Sequence, residues 1–190
     1  MYRKKNIAVF ASGSGTNFMN IYNNAKYADV VLLISNNSKC GAIDFAIKNK
    51  IDFKIVNDSR FPKKIDQMYE SFLKTYDIDL ILLAGFMKKI PSNIIKLYKN
   101  KIMNIHPSLL PKYKGLNAIE QALESGDKTT GCTVHYVTEE LDSGTIIDQS
   151  IVPICPNDTV ETLTHRVQQA EHRLLPIVIN NLEESYAIKY

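Results

Sequence analysis

An amide, an imidazole and a carboxylate stand out in this sequence because together they can act on a carbonyl group. Asn104 and His106 lie two residues apart in a string that ends in prolines, and Asp142 stands in a later Asp-Ser-Gly turn. An amide N–H and an imidazole can stabilise the negative oxygen that forms when a carbonyl carbon is attacked. Asp142 could hold that imidazole in its charged form. The alternative is that Asn104 and His106 only cap a turn.

A strand that ends at His106 would place the two side chains in one cleft. Residues 101–106 alternate in character, and Pro107 cannot extend a strand ladder because it lacks an N–H. Successive side chains of a strand point to opposite faces, so Asn104 and His106 share one face while Met103 and Ile105 pack on the other. Chemistry is therefore expected at the carboxyl end of this strand.

A glycine-rich turn near the N-terminus is a candidate anion site. Residues 6–11 form a short apolar strand, Ser12-Gly13-Ser14-Gly15-Thr16-Asn17 follows, and a helix is expected over 18–25. Free backbone N–H groups and the positive end of the helix dipole favour a phosphate there. The turn lacks the third glycine of a dinucleotide fingerprint and the Gly-Lys-Ser/Thr of a Walker loop. A monophosphate therefore fits it better than NAD or ATP.

Strands and helices alternate along most of the chain, which predicts an α/β fold. The continuous apolar run 80–84 is typical of a central parallel strand covered on both faces. Two β-rich stretches, 132–138 and 144–154, predict an antiparallel part of the sheet, and Asp142 lies in the loop between them. Further strands are expected at 30–34 and 53–56, and helices at 41–49, 63–75, 92–98 and 116–124.

The last helix carries a carboxylate on its apolar stripe. The helix is expected from about Asp158, with Asp158 and Glu161 as a capping box and with Pro176 kinking it or ending it early. Glu171 falls in the stripe formed by apolar residues at helical spacing, where an unsatisfied charge is costly. Arginines on the same helix point off the stripe, which favours ligand hydroxyls as partners of Glu171; the two arginines are Arg166 and Arg173.

Composition favours one compact domain in a reducing compartment. The chain has 190 residues, 45% of them hydrophobic, and lacks a linker tract. The net charge of +3 is mild and its lysines are scattered, so no nucleic-acid partner is expected. Three widely spaced cysteines and the lack of a membrane-spanning apolar run predict a cytoplasmic protein that binds no membrane. Cys132 and His135 have a metal-like spacing but no second pair, so no metal is expected.

The chain resembles the phosphoribosylglycinamide formyltransferase family over essentially its whole length. The resemblance is carried by the strings at 12–17, 83–87, 104–111, 115–116 and 142–144. The string Asn-x-His-Pro-Ser-Leu-Leu-Pro is shared with methionyl-tRNA formyltransferases and formyltetrahydrofolate hydrolases. Those enzymes carry a further domain, for which this chain is expected to have no room. Two alternatives stay open, a folate- or nucleotide-binding module without turnover and an enzyme like the tRNA formyltransferases.

The resemblance implies a single Rossmann-like formyltransferase domain over 1–190, with a mostly parallel sheet of about seven strands, an antiparallel C-terminal part and helices on both faces. It implies that the amine of glycinamide ribonucleotide attacks the formyl group of 10-formyltetrahydrofolate, in purine biosynthesis. Asn104 and charged His106 would stabilise the oxyanion, while Asp142 would keep His106 charged and help to pass the amine proton. These small molecules are the expected partners of a monomer or homodimer.

The resemblance also assigns binding residues. Gly15, Thr16 and Asn17 would hold the substrate phosphate, and Glu171 the ribose hydroxyls. The bond before Pro111 is expected to be cis. Ser143 and Thr145 depart from the family's Gly-Pro pattern, and a folate-contacting arginine of the family has no clean match here, with Lys64 and Arg60 as the two candidates to replace it. The folate would lie against Asn104 and two segments, Met87, Lys88, Lys89, Ile90 and Thr138, Glu139, Glu140, Leu141, Asp142.

Overall fold

The computed structural model describes residues 3–57 and 62–187 and contains one mixed sheet between two layers of helices. The strands are β1 Lys5–Phe10, β2 Ala28–Ser35, β3 Asp52–Ile55, β4 Leu80–Leu83, β5 Ile102–His106, β6 Thr129–Tyr136 and β7 Ile146–Pro153. The helices are α1 Thr16–Asn24, α2 Gly41–Lys48, α3 Pro62–Thr75, α4 Ser92–Leu97, α5 Ala118–Glu124 and α6 Val160–Ala187.

The strand order brings the ends of three strands together. The order is β3-β2-β1-β4-β5-β6-β7, with β1 to β5 parallel and β6 and β7 antiparallel. The predicted seven-stranded sheet with an antiparallel C-terminal part is confirmed. Because β1, β4 and β5 are parallel neighbours, the loops that follow them meet at one edge of the sheet. Ligands of open α/β sheets bind at this edge, where the strand order reverses.

Both faces of the sheet carry a buried core because the central strands are apolar in both directions. Ile7, Val9, Met103 and Ile105 pack in one core with side chains of α1, α2, α5 and α6. On the other face of the sheet, Phe10 and alternate residues of β2 and β4 pack in a second core with α3 and α4. The expected helices on both faces are confirmed, as is the buried run 80–84.

Helix α6 begins at Val160, and its cap, Thr159, lies one residue later than the predicted cap Asp158. Thr159 and Thr162 cap it reciprocally, since each backbone N–H donates to the other residue's Oγ1, at 2.9 and 3.2 Å. The predicted capping box of Asp158 and Glu161 is therefore wrong. Asp158 instead accepts hydrogen bonds from Arg166 at 2.7 and 2.8 Å and from the backbone N–H of Cys155. These donors hold the pKa of the Asp158 carboxyl well below its usual range.

Helix α6 also continues through Pro176 to Ala187, so of the two expectations for this proline the early end is wrong, and the kink stays a prediction. A proline inside a helix costs about 3 kcal/mol, because one hydrogen bond is lost and the ring crowds the preceding turn. Burial of one large apolar side chain stabilises by about 1.5–3 kcal/mol. Four such residues next to Pro176 are buried in the core, which outweighs the cost; they are Leu174, Leu175, Val178 and Ile179.

Gly131 tests the close pairing of β6 and β7 that this fold requires. A Cβ at Gly131 would lie 2.0 Å from the carbonyl oxygen of Ser150 and 2.8 Å from Leu109 Cδ2. We expect Gly131→Ala to lower the free energy of unfolding by about 3 kcal/mol, because the strands must move apart. Urea denaturation measures this loss. The control is Gly13→Ala, where a Cβ meets nothing within 4 Å; equal stability of the two variants would contradict the pairing.

Candidate active site

Strand β5 places the amide and the imidazole on one face of the sheet, as predicted. Met103 and Ile105 are buried in the core that contains α6. Asn104 and His106 therefore point to the opposite face, where both line a groove. His106 is only 5% exposed, while Asn104 is half-buried. The two polar side chains thus lie at the floor of a groove beside the end of the strand.

Asp142 reaches the same floor from the loop between β6 and β7. Its carboxyl Oδ2 accepts the backbone N–H of Gly115 at 2.9 Å and lies 3.5 Å from His106 Nδ1. Its Oδ1 lies 3.5 Å from Asn104 Nδ2. The side chain is 7% exposed, and its backbone has φ +47°, in the left-handed region that residues other than glycine rarely adopt. The structure therefore brings Asn104, His106 and Asp142 together.

The two ring nitrogens of His106 face different acceptors. Nε2 lies 2.8 Å from the carbonyl oxygen of Tyr113, which can only accept, so Nε2 carries a proton. Nδ1 faces the carboxylate of Asp142 at 3.5 Å. With its proton on Nε2, a neutral ring would present a lone pair from Nδ1 to Asp142, whereas an imidazolium would present an N–H to each neighbour. Nδ1, at the longer of the two contacts, is the nitrogen that a ligand oxygen can share.

His135 is a member of this site that the sequence did not reveal. It is 2% exposed, and its Nδ1 lies 3.0 Å from the carbonyl oxygen of Tyr136, which requires a proton on Nδ1. Burial lowers the pKa of His135, so the ring is neutral and its Nε2 accepts a hydrogen bond from Asn104 Nδ2 at 3.1 Å. His135 therefore orients the amide of Asn104, whose second N–H lies at the long distance of 3.5 Å from Asp142 Oδ1, where a ligand oxygen can compete for it.

The signal that could have located His135 is the strand register. Asn104 pairs with His135 across the antiparallel strands β5 and β6. Residues directly opposite in such a pair project from the same face of the sheet. The sequence predicts both strands but not their register, so it does not place His135 beside Asn104. The register sends Cys132 into the opposite core.

The groove holds every residue that the resemblance assigned to folate binding. Its volume is about 480 Å³, and both predicted segments line it together with Asn104. Three apolar side chains around it are widely exposed, Met87 at 66%, Leu116 at 75% and Leu141 at 54%. Phe86 instead packs edge-on against the ring of Phe10, with 5.2 Å between ring centroids. An apolar wall above a polar floor suits a flat heterocycle that carries a reactive carbonyl group.

The loop 137–145 has internal hydrogen bonds that shape one wall of this groove. Thr138 Oγ1 donates to the carbonyl oxygen of Glu140 at 3.1 Å, and Ser143 Oγ donates to that of Leu141 at 2.9 Å. A Cβ on Gly144 would lie 1.7 Å from the carbonyl oxygen of Tyr136, so only glycine fits there. Ser143 therefore adds a hydrogen bond to the loop, and Gly144 keeps the close approach to β6.

A second cavity, of about 580 Å³, lies beyond Lys88, Lys89 and Ile90 and reaches Asp66 and Tyr69. It contains none of the three predicted catalytic residues, so we assign the chemistry to the groove of Asn104. Lys64 is exposed on the first turn of α3, and Arg60 lies outside the described residues. The bond between Leu110 and Pro111 is cis, as expected.

The glycine-rich turn leaves an uncapped helix end. Gly15 is the N-cap of α1, with φ +79°, and no side chain caps this helix. A Cβ on Gly15 would lie 2.7 Å from Ala42 Cβ, so the turn requires glycine for both its backbone conformation and its packing. The first N–H groups of a helix have no partner within it, so those of Thr16 and Asn17 are available to an anion.

Asn17 connects this turn to the carboxylate on α6. Asn17 Nδ2 donates to Glu171 Oε2 at 2.8 Å, and Asn17 Oδ1 is buried with no hydrogen-bond partner among the described residues. Glu171 is 6% exposed, and burial raises its pKa to about 7 although the Asn17 hydrogen bond opposes this shift. Arg166 binds Asp158 and Arg173 is exposed, so neither arginine satisfies Glu171. The four predicted ribonucleotide-binding residues thus lie where α1 meets α6, and there Asn17 Oδ1 and the Glu171 carboxyl can accept further hydrogen bonds.

Two findings concern other ligand classes. Within residues 3–57 and 62–187, no group of three His, Cys, Asp or Glu side chains is arranged to hold a metal ion. In the same part of the chain, no helix is long and apolar enough to cross a membrane.

Comparison with known proteins agrees with this geometry. The family model described as Formyl transferase matches residues 5–179. The trifunctional purine biosynthetic protein adenosine-3 of Gallus gallus is 40% identical over 182 residues, which cover 93% of this chain and 18% of that protein. The chain therefore spans less than a fifth of that relative. A chloroplastic phosphoribosylglycinamide formyltransferase of Vigna unguiculata is 37% identical, with 96% of this chain and 62% of the relative covered.

A solved structure matches over nearly its whole length. Glycinamide ribonucleotide transformylase 1 from Geobacillus kaustophilus superposes with a TM-score of 0.90 at 41% sequence identity, covering 94% of this chain and 98% of the other. The family match, the fold and the arrangement of polar residues in the groove agree, and the chain belongs to the formyl transferase family, among the phosphoribosylglycinamide formyltransferases.

Proposed function

We propose that this chain transfers the formyl group of 10-formyltetrahydrofolate to the amine of N1-(5-phospho-D-ribosyl)glycinamide, in de novo purine biosynthesis. The products are the N-formyl ribonucleotide and tetrahydrofolate. The observation that carries the proposal is the meeting of Asn104, His106 and Asp142 at the floor of an apolar-walled groove. These residues supply two donors for a developing oxyanion and one carboxylate beside them.

The reaction begins when the substrate amine attacks the formyl carbon and a C–N bond forms. The carbonyl electron pair moves to oxygen, and the oxyanion accepts hydrogen bonds from His106 Nδ1 and from the N–H of Asn104 that faces Asp142 in the free chain. His135 holds the amide of Asn104 in the required orientation, so this donor is set before the substrate binds. The ammonium proton leaves through Asp142 and water and reaches folate N10 as the bond between N10 and the formyl carbon breaks.

The ribonucleotide is proposed to bind where α1 meets α6. The phosphate oxygens would accept hydrogen bonds from the backbone N–H groups of Gly15, Thr16 and Asn17 at the uncapped helix end. The ribose hydroxyls would donate to Glu171, for which the described residues supply a single donor, Asn17. A ligand that brings hydroxyl donors to a buried carboxylate replaces the water that burial removed. This explains why the apolar stripe of α6 contains an acid.

The folate is proposed to lie in the groove, with its ring between the segments 87–90 and 138–142. The exposed Met87 and Leu141 give apolar contact, and Lys88 and Lys89 offer positive charge toward an acidic tail. We further propose that 1–190 act as a single domain in the cytoplasm, as a monomer or homodimer, with small-molecule substrates and neither nucleic acid nor a membrane as partner. The buried free thiols of Cys40 and Cys132 suit a reducing compartment.

An acceptor assay tests the function directly. The full chain is incubated with 10-formyltetrahydrofolate and either glycinamide ribonucleotide, methionyl-tRNA or water alone, and tetrahydrofolate release is followed. We expect release only with the ribonucleotide, because the site at Asn17 and Glu171 fits a phosphoribosyl group. Release with methionyl-tRNA alone, or equal release in water, would assign the chain to another activity. Binding of both ligands without release would leave it a binding module.

Single and double substitutions test the shared intermediate. Loss of one oxyanion donor costs about a hundred- to a thousand-fold in kcat, so Asn104→Ala and His106→Ala should each lose about that much with modest changes in KM. Because both donors act on one oxygen, the double variant should lose less than the product of the single losses. Asn23→Ala and His165→Ala, which remove exposed side chains of the same types, serve as controls. Full activity of His106→Ala would refute its role.

The pH dependence of stability tests the burial of Glu171. Its pKa is about 7 when folded and 4.5 as an ordinary glutamate, so the folded chain holds a proton that the unfolded chain releases. Relative to Glu171→Gln, wild-type stability is therefore fully present below pH 4.5 and is lost as the pH rises through 7, by about 3 kcal/mol. Thermal unfolding across pH 4–8 measures this difference. Exposed Glu161→Gln is the control and should show no such trend.

The same variant tests the ribose contact. Glu171→Gln should weaken ribonucleotide binding by about tenfold or more at pH 8, because hydrogen bonds to a charged acceptor are lost. The substrate phosphate also titrates in this range, and its contribution is common to both proteins, so the difference between them reports Glu171. Calorimetry at pH 6 and pH 8 gives both affinities. Equal affinities for wild type and Glu171→Gln at pH 8 would make Glu171 purely structural.

A further inference from the structure

Ser12 joins three loops at the carboxyl edge of the sheet. Its backbone N–H donates to the carbonyl oxygen of Gly85 at 3.1 Å, and its hydroxyl accepts the backbone N–H of Met87 at 2.9 Å. The hydroxyl donates to Asn36 Oδ1 at 2.5 Å, and the Ser12 carbonyl oxygen accepts from Asn37 Nδ2 at 3.1 Å. Every polar group of Ser12 is therefore bound to a loop other than its own.

The direction of these bonds gives the hydroxyl a single orientation. A backbone N–H can only donate, so Ser12 Oγ must accept from Met87. The hydroxyl has one proton, and Asn36 Oδ1 receives it. Loss of either Asn36 or Met87 as a partner weakens the hydrogen bond between Ser12 and the other, because the three groups form one chain of hydrogen bonds.

Ser12 also stands between the two proposed substrate sites. The next five residues along the chain form the turn proposed to hold the phosphate. The loop 85–90, on the other side, has no helix or strand and lines the groove with the exposed side chain of Met87. At Met87 the hydrogen bond to Ser12 fixes the backbone of this loop, while Phe86 anchors it by packing against Phe10. A change at one site can thus reach the other through one side chain.

Resting on the proposed function, we propose that Ser12 is a positioning residue that couples the two substrate sites. When a phosphate orders the turn at 13–17, the hydroxyl holds Met87 and its loop in the conformation that binds the folate ring. Binding of the ribonucleotide then strengthens folate binding, and thermodynamic reciprocity requires the converse by the same factor. Ser12 itself touches neither substrate.

Calorimetry with a pair of ligands that cannot react measures the coupling. Tetrahydrofolate is titrated into the full chain with and without saturating glycinamide ribonucleotide, and the ratio of the two Kd values is the coupling factor. We expect a factor of about five or more for wild type, at the lower end of typical coupling. Ser12→Ala should bring it close to one, weaken tetrahydrofolate binding several-fold and leave ribonucleotide binding alone within about twofold. Hydrogen exchange at the Met87 amide should become faster.

Two further variants separate positioning from a general loss of structure. Ser12→Thr keeps the hydroxyl and should restore the coupling, and Ser38→Ala, an exposed serine in the neighbouring loop, should leave it unchanged. Asn36→Ala frees the Ser12 hydroxyl and gives the same test if Ser12→Ala does not fold. A wild-type coupling factor of one, or an unchanged factor in Ser12→Ala, would overturn the proposal. A wild-type chain that binds neither ligand would overturn the proposed function and the coupling with it.

Discussion

The carboxylate of Asp142 is the interaction on which the groove depends. It is almost fully removed from water and is bounded by the N–H of Gly115, the imidazole of His106 and the amide of Asn104. A buried charge is tolerated only when it is paired and hydrogen-bonded. The left-handed backbone at Asp142 and the glycine at 144 serve this contact, because they bring the loop 137–145 down to the sheet. The carboxylate thereby ties three separate segments of the chain into one site.

The sheet supplies the rigid frame for that contact. Asn104 and His106 have fixed positions because their neighbours along the strand, Met103 and Ile105, are buried in the core beneath α6. His135 stands opposite Asn104 for the same reason, since its neighbour Val134 is buried in that core. Residues on strands hold their positions more precisely than residues on loops, which suits the two proposed oxyanion donors on β5 and the residue of β6 that orients one of them. The loops carry most of the residues proposed to contact the substrates.

Local patterns were enough to predict the strands, the helices and the face of β5 that carries Asn104 and His106. The features that escaped prediction depend on contacts between distant residues. The resemblance assigned Asn17 and Glu171 to one ligand, but they are 154 positions apart and no local pattern predicts the hydrogen bond between them. His135 required the register of two strands. Pro176 lies inside a helix because burial of the side chains around it outweighs the lost backbone hydrogen bond. The cap of α6 is Thr159 rather than Asp158, because the carboxylate of Asp158 accepts hydrogen bonds from Arg166.

Asp142 and Glu171 show how one scaffold treats two buried acids differently. Asp142 has an N–H, an imidazole and an amide within 3.5 Å, so its charge is matched before any substrate arrives. Among the residues that the structure describes, Glu171 has Asn17 as its one donor, and burial raises its pKa to about 7. An acid that lacks donors in the free protein gains most from a ligand that brings them, whereas an acid that already has them acts on a proton without rearrangement. The difference in donors alone therefore predicts that Glu171 serves binding and Asp142 serves the reaction.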